Sequence, residues 1–296
     1  MAIISKITDG LGNQLFQYAL GRRLALERSV DLLADTSWYD TINPEFTPRT
    51  YLLDRFHTCL KRAAPDAVRK IESPHLLPGI RRLYYVWQAR LPYYKRRVVK
   101  EQGPGFDSRV LECGSHVVLK GFWQSEKYFS SIREVLLQEI KPLHIPETLM
   151  KMAEKLENEE GSVAVHVRRG DYAKTDSEHI LLDSSYYKKA IETLKSHIAE
   201  KLYFYIFSEE PVDAGIVGLP EGEIRVMPAH PQSPEWDLWL MSRCRHFIIA
   251  NSSFSWWAAW LCTNAGKKVI APARRHKNPA FDSPDFLPES WIKIDF

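Results

Sequence analysis

The chain has 296 residues, 45% hydrophobic and 26% charged, which is globular composition and excludes a disordered protein. Its 40 basic and 37 acidic side chains leave a net charge of +3, too even a balance for a protein whose main partner is nucleic acid. No window of eighteen consecutive apolar residues offers a transmembrane helix, and the first residues, "MAIISKITDG", lack the basic region and cleavage site of a signal peptide.

In chain order, "AIISKI" reads as a strand, "TDGLGNQ" as a turn and "LFQYALGRRLALER" as an amphipathic helix. In that helix Leu15, Ala19, Leu24 and Leu26 form the apolar face, with Arg22, Arg23 and Arg28 outward. "SVDLLAD" is a second strand, which completes a βαβ unit. Residues 36–150 are less regular, although "SHVVLKGFWQS" reads as a strand leaving through a glycine. Within this region "RRLYYVWQARLPYYKRRVVK" (81–100) interleaves bases with aromatics. Such a stretch can lie at a membrane surface, but a solvated basic helix with its aromatics packed inward is the favoured reading.

Beyond "KPLHIPETLMK" the rhythm is clearer. "SVAVHV", "KLYFYIFS", "EIRVM", "HFIIA" and "KKVIAP" read as strands. Between them, "DSSYYKKAIETLKSHIA" and "SPEWDLWLMSRC" read as capped helices and "NSSFSWWAAWLCTNA" as a turn and helix. Alternating strands and helices imply right-handed crossovers and mostly parallel sheets. The expected fold is therefore α/β, two doubly wound, Rossmann-like domains facing a cleft, with boundaries at 1–150 and 151–296. The cysteines Cys59, Cys113, Cys244 and Cys262 are too scattered for a metal site or disulfide framework and read as reduced, mostly buried thiols of a cytoplasmic protein.

Three polar clusters follow strands, where open parallel sheets place their ligands. In "DGLGNQ", Gly10 and Gly12 begin a dinucleotide pattern that Leu15 breaks, and no G-x-x-x-x-G-K-S/T is present. What remains is either a turn that needs glycine or a close approach to a ligand, with Asn13 and Gln14 as amide donors. In "NSSFSWW", Asn251, Ser252, Ser253 and Ser255 exceed what capping one helix requires, which favours an anion at the helix N-terminus. In "HVRRGDY", Arg168 and Arg169 can hold a diphosphate through parallel N–H···O bonds, and His166 can bond to phosphate or sugar. Asp171 can orient an arginine or act as a base. A salt-bridged surface turn is the plain alternative, and an adhesive Arg-Gly-Asp is set aside because the tripeptide abuts a buried strand. No D-x-D pair offers an acidic grip for a divalent ion, so the clusters describe a pyrophosphate site in which arginine and a helix N-terminus stabilise the leaving group without metal.

"HVRRGD" matches the H-x-R-R-x-D motif of α-1,2- and α-1,6-fucosyltransferases. Together with "GLGNQLFQYALGRRLA" and "NSSFSWWAAWL" it makes the chain resemble the bacterial α-1,2-fucosyltransferases of glycosyltransferase family 11, from about residue 7 to 275. The resemblance implies a GT-B-like fold, GDP-fucose as donor, inversion, no metal or other cofactor, and a galactose-terminated glycan or O-antigen acceptor met on the N-terminal side. It makes Arg168 the arginine on the β-phosphate, supported by His166, Arg169 and Asp171, and places Ser252, Ser253 and Phe254 in the phosphate-binding turn beside Asn251. Asp237 is similar in position to an acid that holds guanine, and Ser208 and Glu209 match an F-S-D/E-D segment. Gly12 and Asn13 lie in a loop similar to one that reaches the reaction centre of protein O-fucosyltransferases. The general base is open among Asp171, Glu209, His230 and solvent or phosphate. An α-1,6 linkage and a non-catalytic nucleotide-sugar or glycan-binding protein are the other readings. The acceptor itself is not readable, and a lipid-linked one would bring residues 81–100 to the inner face of the plasma membrane.

Overall fold

In the computed structural model, which describes residues 1–40, 48–72, 78–169, 178–212, 215, 218 and 223–296, the chain forms two units. One comprises Met1–Lys141 with Ser283–Phe286, the other Pro142–Asp282 with Leu287–Phe296.

The first unit contains β1 (Ala2–Lys6), α1 (Leu11–Arg28), β2 (Asp31–Asp35), β3 (Lys61–Arg62), α2 (Pro65–Glu72), α3 (Pro78–Arg90), β4 (Val98–Lys100), β5 (Val117–Lys120) and α4 (Arg133–Glu139). Its sheet runs β3-β2-β1-β5-β4, and every pairing among the described residues is parallel. Ile3 faces Leu32 and Val117 across the ladder, and Ile4 faces Leu33 and Val118. Ile3, Ile4, Val117 and Val118 are fully buried, as parallel strands covered on both faces require.

Helix α1 starts at Leu11, with Gly10 as N-cap, so Gly12, Asn13 and Gln14 belong to its first turn instead of a loop. Leu15, Ala19 and Leu24 are buried as expected, together with Phe16, Tyr18 and Leu20, whereas Leu26 is exposed. Arg22 does not face out freely: its guanidinium grips Glu139, which also takes the Tyr18 hydroxyl proton bond. A methyl at Gly21 would stand 2.8 Å from Leu32 Cδ1, so glycine lets α1 settle onto the sheet. The late residues Ser283–Phe286 close this unit. Phe286 is buried against Phe16, with ring centroids 6.2 Å apart, and the Asp285 carboxylate accepts from Phe106 N and pairs with Lys127.

The second unit contains α5 (Glu147–Asn158), β6 (Ser162–His166), α6 (Ser184–His197), β7 (Tyr203–Phe207), β8 (Ile224–Val226), α7 (Pro234–Met241), β9 (His246–Ile248), α8 (Ser253–Leu261), β10 (Val269–Pro272) and β11 (Ile292–Ile294). Its sheet, β11-β10-β9-β6-β7-β8, is again parallel throughout the described residues. Two Rossmann-like units with parallel sheets are the organisation expected of a GT-B-like chain. Val163, Val165, Phe204, Ile206 and Ile248 form the core with Tyr186, Tyr187, Ile191 and Leu194 of α6. Asp183 caps α6 through Ser185 N and Tyr186 N, whereas Ser233, expected to cap α7, makes no side-chain cap bond. All four cysteines are free, and Cys59 alone of them is exposed. No helix among the described residues is long and apolar enough to cross a membrane.

Candidate functional site

In the second unit the chain runs outward from β6 through β7 to β8, then returns to β9 on the other side of β6. Reversal of strand order between β6 and β9 opens a crevice beyond their carboxyl ends, the usual ligand position in such sheets. The "HVRRGDY" and "NSSFSWW" segments both begin there.

His166 ends β6 and is 2% exposed. The Tyr187 hydroxyl fixes its backbone by donating to His166 O at 3.1 Å, and the Phe254 ring lies 5.7 Å from its imidazole. Burial, reinforced by the Arg168 charge, pushes its pKa down to about 3. The ring is neutral at ordinary pH, with one donor and one acceptor nitrogen, and its buried Nδ1 has no partner among the described residues. Such a ring can bond a ligand but cannot store a proton.

Val167 N continues the ladder by donating to Phe207 O, which carries the chain past the strand end to Arg168. Arg168 is only 9% exposed, and its Nη1 pairs with the Glu209 carboxylate at the end of β7. Ser208 precedes it, accepting weakly from Glu210 N at 3.4 Å. Arg169 is half-buried, and Asp171 lies outside the described residues.

The serine run divides its labour. Ser252 Oγ caps α8 by accepting from Phe254 N, and Ser255 Oγ donates to Ser252 O at 3.3 Å. Asn251 does not face a ligand with its amide nitrogen: Nδ2 donates to Ile180 O at 2.8 Å and Arg275 O at 3.0 Å, tying together two loops distant in sequence. Ser253 is half-buried. It stands at the first turn of α8, where the backbone N–H groups other than the capped Phe254 N have no partner within the helix.

Asp237, in α7, accepts from His230 N at 2.9 Å and bonds His230 Nδ1 at 2.6 Å. Burial raises its carboxyl pKa, the His230 bonds oppose the rise, and the Glu209 charge adds to it. Two of the candidate bases are therefore already engaged, Glu209 by Arg168 and His230 by Asp237.

Gly12 and Asn13 belong to the first unit. Gly12 is buried in α1, and Asn13 is held between Asp9, whose Oδ2 accepts from Nδ2 at 2.7 Å, and Gln124, whose Nε2 donates to Asn13 Oδ1 at 2.7 Å. Gln14 turns inward to Asp9 O and Thr50 O. Asp9 and Trp123, just past β1 and β5, both have left-handed backbone (φ 66° and 58°), strain of the kind that concentrates at working sites.

Two residues beside these strand ends lie outside the three sequence clusters. Arg275, 8% exposed, follows β10 beside Asn251, and Tyr187 fixes the end of β6. The "ARRH" after the last predicted strand was a legible signal for the arginine; nothing local marked the tyrosine. Among the described residues no group of three or more His, Cys, Asp or Glu is placed to hold a metal ion. The strand ends thus bring together a buried guanidinium, a neutral imidazole and a helix N-terminus, a set suited to a polyanion.

Against known proteins, the family model for glycosyl transferase family 11 matches residues 93–295. An Alpha-1,2-colitosyltransferase of Escherichia coli is 28% identical, covering 99% of both chains. The O-antigen biosynthesis glycosyltransferase WbnK of Escherichia coli is 27% identical, over 98% of this chain and 99% of its own. A Galactoside 2-alpha-L-fucosyltransferase of Caenorhabditis elegans is 25% identical, over 96% of this chain and 77% of its own.

Proposed function

The chain belongs to glycosyl transferase family 11, and on that premise we propose that it moves L-fucose from GDP-fucose to the 2-hydroxyl of a terminal β-galactose on an oligosaccharide or O-antigen acceptor. The observation that carries this reading is Arg168, a guanidinium buried just past β6, whose last residue His166 meets Phe254 in the first turn of α8. The reaction is a single inverting displacement. The acceptor oxygen bonds to the anomeric carbon, the bond from that carbon to phosphate oxygen breaks, and the hydroxyl proton leaves to a base. Arg168 and the α8 N–H groups meet the charge that develops on the diphosphate, and this can proceed without metal. His166, held neutral, donates or accepts a hydrogen bond in the same pocket. Glu209 must share or yield Arg168 when the diphosphate arrives. The first unit, with its strained strand ends at Asp9 and Trp123, is assigned the acceptor.

A second donor has a specific observation behind it. One full-length relative is named for colitose, which is L-fucose without the 3-hydroxyl. The deciding experiment offers GDP-fucose and GDP-colitose separately, with lactose, lacto-N-biose and Galβ1-3GalNAc, in EDTA, with linkage assigned by NMR. Fucose in α-1,2 linkage is the expected product, and preference for colitose or an α-1,6 product would replace the reading. Arg168→Lys keeps the charge but loses the bidentate fork, so turnover should fall by about 10²–10³-fold. A folded variant that retained most of its turnover would remove Arg168 from the mechanism.

A further inference from the structure

Helix α3 carries an apolar face that the first unit leaves uncovered. Ile80, Leu83, Val86 and Trp87 are 48%, 69%, 48% and 54% exposed. At 100° per residue these four fall within an arc of about 120°. Arg82 and Arg90 are exposed on the same helix, and Tyr94, 58% exposed, follows it. The aromatics of this stretch were expected to pack inward; Trp87 and Tyr94 instead face out. The opposite side is anchored: Gln88 is buried and its Oε1 accepts from Arg97 N at 2.7 Å. Arg96 braces the helix end through Ala89 O and Leu91 O, so the outward face is a built surface.

Charge identifies what fits it. Residues 78–100 contain seven basic side chains, Arg81, Arg82, Arg90, Lys95, Arg96, Arg97 and Lys100, and no acid. Taking those seven from the 40 basic residues leaves 33 against 37 acidic ones, so the rest of the chain is net negative. Exposed Leu, Ile, Val and Trp flanked by cations are what an interface of acyl chains and anionic headgroups accepts. A second copy of the chain is disfavoured, because an isologous contact would set the cations of one face against the same cations of the other. We propose that α3 and the basic stretch after it form a docking surface for an anionic phospholipid membrane, with the apolar face of α3 entering the headgroup region.

The test is flotation of the full chain with phosphatidylcholine vesicles, with and without roughly a quarter phosphatidylglycerol. It needs no turnover and stands apart from the choice of donor. Partition is expected only with phosphatidylglycerol and should weaken with salt. Arg82→Ala and Arg90→Ala should each reduce it about fivefold, and Leu83→Gln by about tenfold. An unchanged calorimetric transition of the first unit, which carries α3, shows that the variants are folded. No partition at low salt, equal partition into both vesicles, or variants that bind like the parent would overturn the proposal. So would a dimer that Leu83→Gln dissociates without any vesicle binding, since the face would then belong to a second copy.

Discussion

His166 and Arg168 stand two positions apart, so extended backbone turns both side chains to one side, and both are buried. A buried imidazole beside a buried guanidinium avoids like charge by staying neutral. Its pKa, about 3 when folded against about 6.5 when unfolded, makes the unfolded chain the better proton binder between those values. Stability from this group is therefore intact above about pH 6.5, is lost as pH falls, and stops changing near pH 3. Between pH 7 and pH 5 the parent should lose about 2 kcal/mol more than His166→Asn, as read by urea unfolding at each pH. Equal losses would mean that the ring is not held neutral. Adjacent arginines at a strand end were legible in the sequence, because their cost of burial demands a partner. The work of Asn251 was not, since Ile180 O and Arg275 O meet it only through the fold.

Elements were legible where their own residues decide them. Apolar runs such as "SVAVHV" and "KLYFYIFS" became β6 and β7, and Asp183 capped α6 as its type predicts. The short strands β3, β4 and β11 were missed because two or three residues carry no periodicity; neighbours recruit them. Helix α1 begins four residues before the expected Leu15 because Gly10 caps it and glycine at position 12 is tolerated in a first turn. Gly161 shows a constraint of the same kind that pattern cannot reveal. It precedes β6, its carbonyl accepts from Tyr203 N at 2.9 Å, and a Cβ there would lie 1.9 Å from Lys201 O. That oxygen is backbone and cannot rotate away without moving the start of β7. Gly161→Ala should cost about 3 kcal/mol of stability, read as a lower urea midpoint at unchanged m-value. Gly103→Ala, with nothing within 4 Å, should be near neutral. A near-neutral Gly161→Ala would show that the two strand ends can part.

For the whole molecule, alternation of strands and helices was sufficient to expect two parallel sheets, each with its own core. Ile4, Val68, Ile71 and Val118 pack in the first unit, and the β6–α6 cluster packs in the second. The phosphate-site candidates Arg168, Ser252 and Ser253 lie in the second unit alone. GDP at about a hundred times its Kd should therefore stabilise that unit by about 2.7 kcal/mol. Calorimetry should resolve two transitions, one raised by GDP and one unmoved, with the rise diminished in Arg168→Lys. Equal shifts in both would place the nucleotide on both units.

The return of Ser283–Phe286 to the first unit had no local signal, because its meaning is the ring of Phe16. It also sets a schedule for synthesis. At about 5–20 residues per second the ribosome needs on the order of ten seconds to travel from Lys141 to Phe286. Throughout that interval the emerged first unit holds the place of Phe286 open, an apolar socket for a chaperone or a neighbouring nascent chain. The second unit, still being made through that interval, waits only about a second after Asp282 for its edge strand β11. Both units are completed by the same final stretch of polypeptide, so a chain stopped at residue 282 leaves two unfinished domains rather than one whole and one damaged.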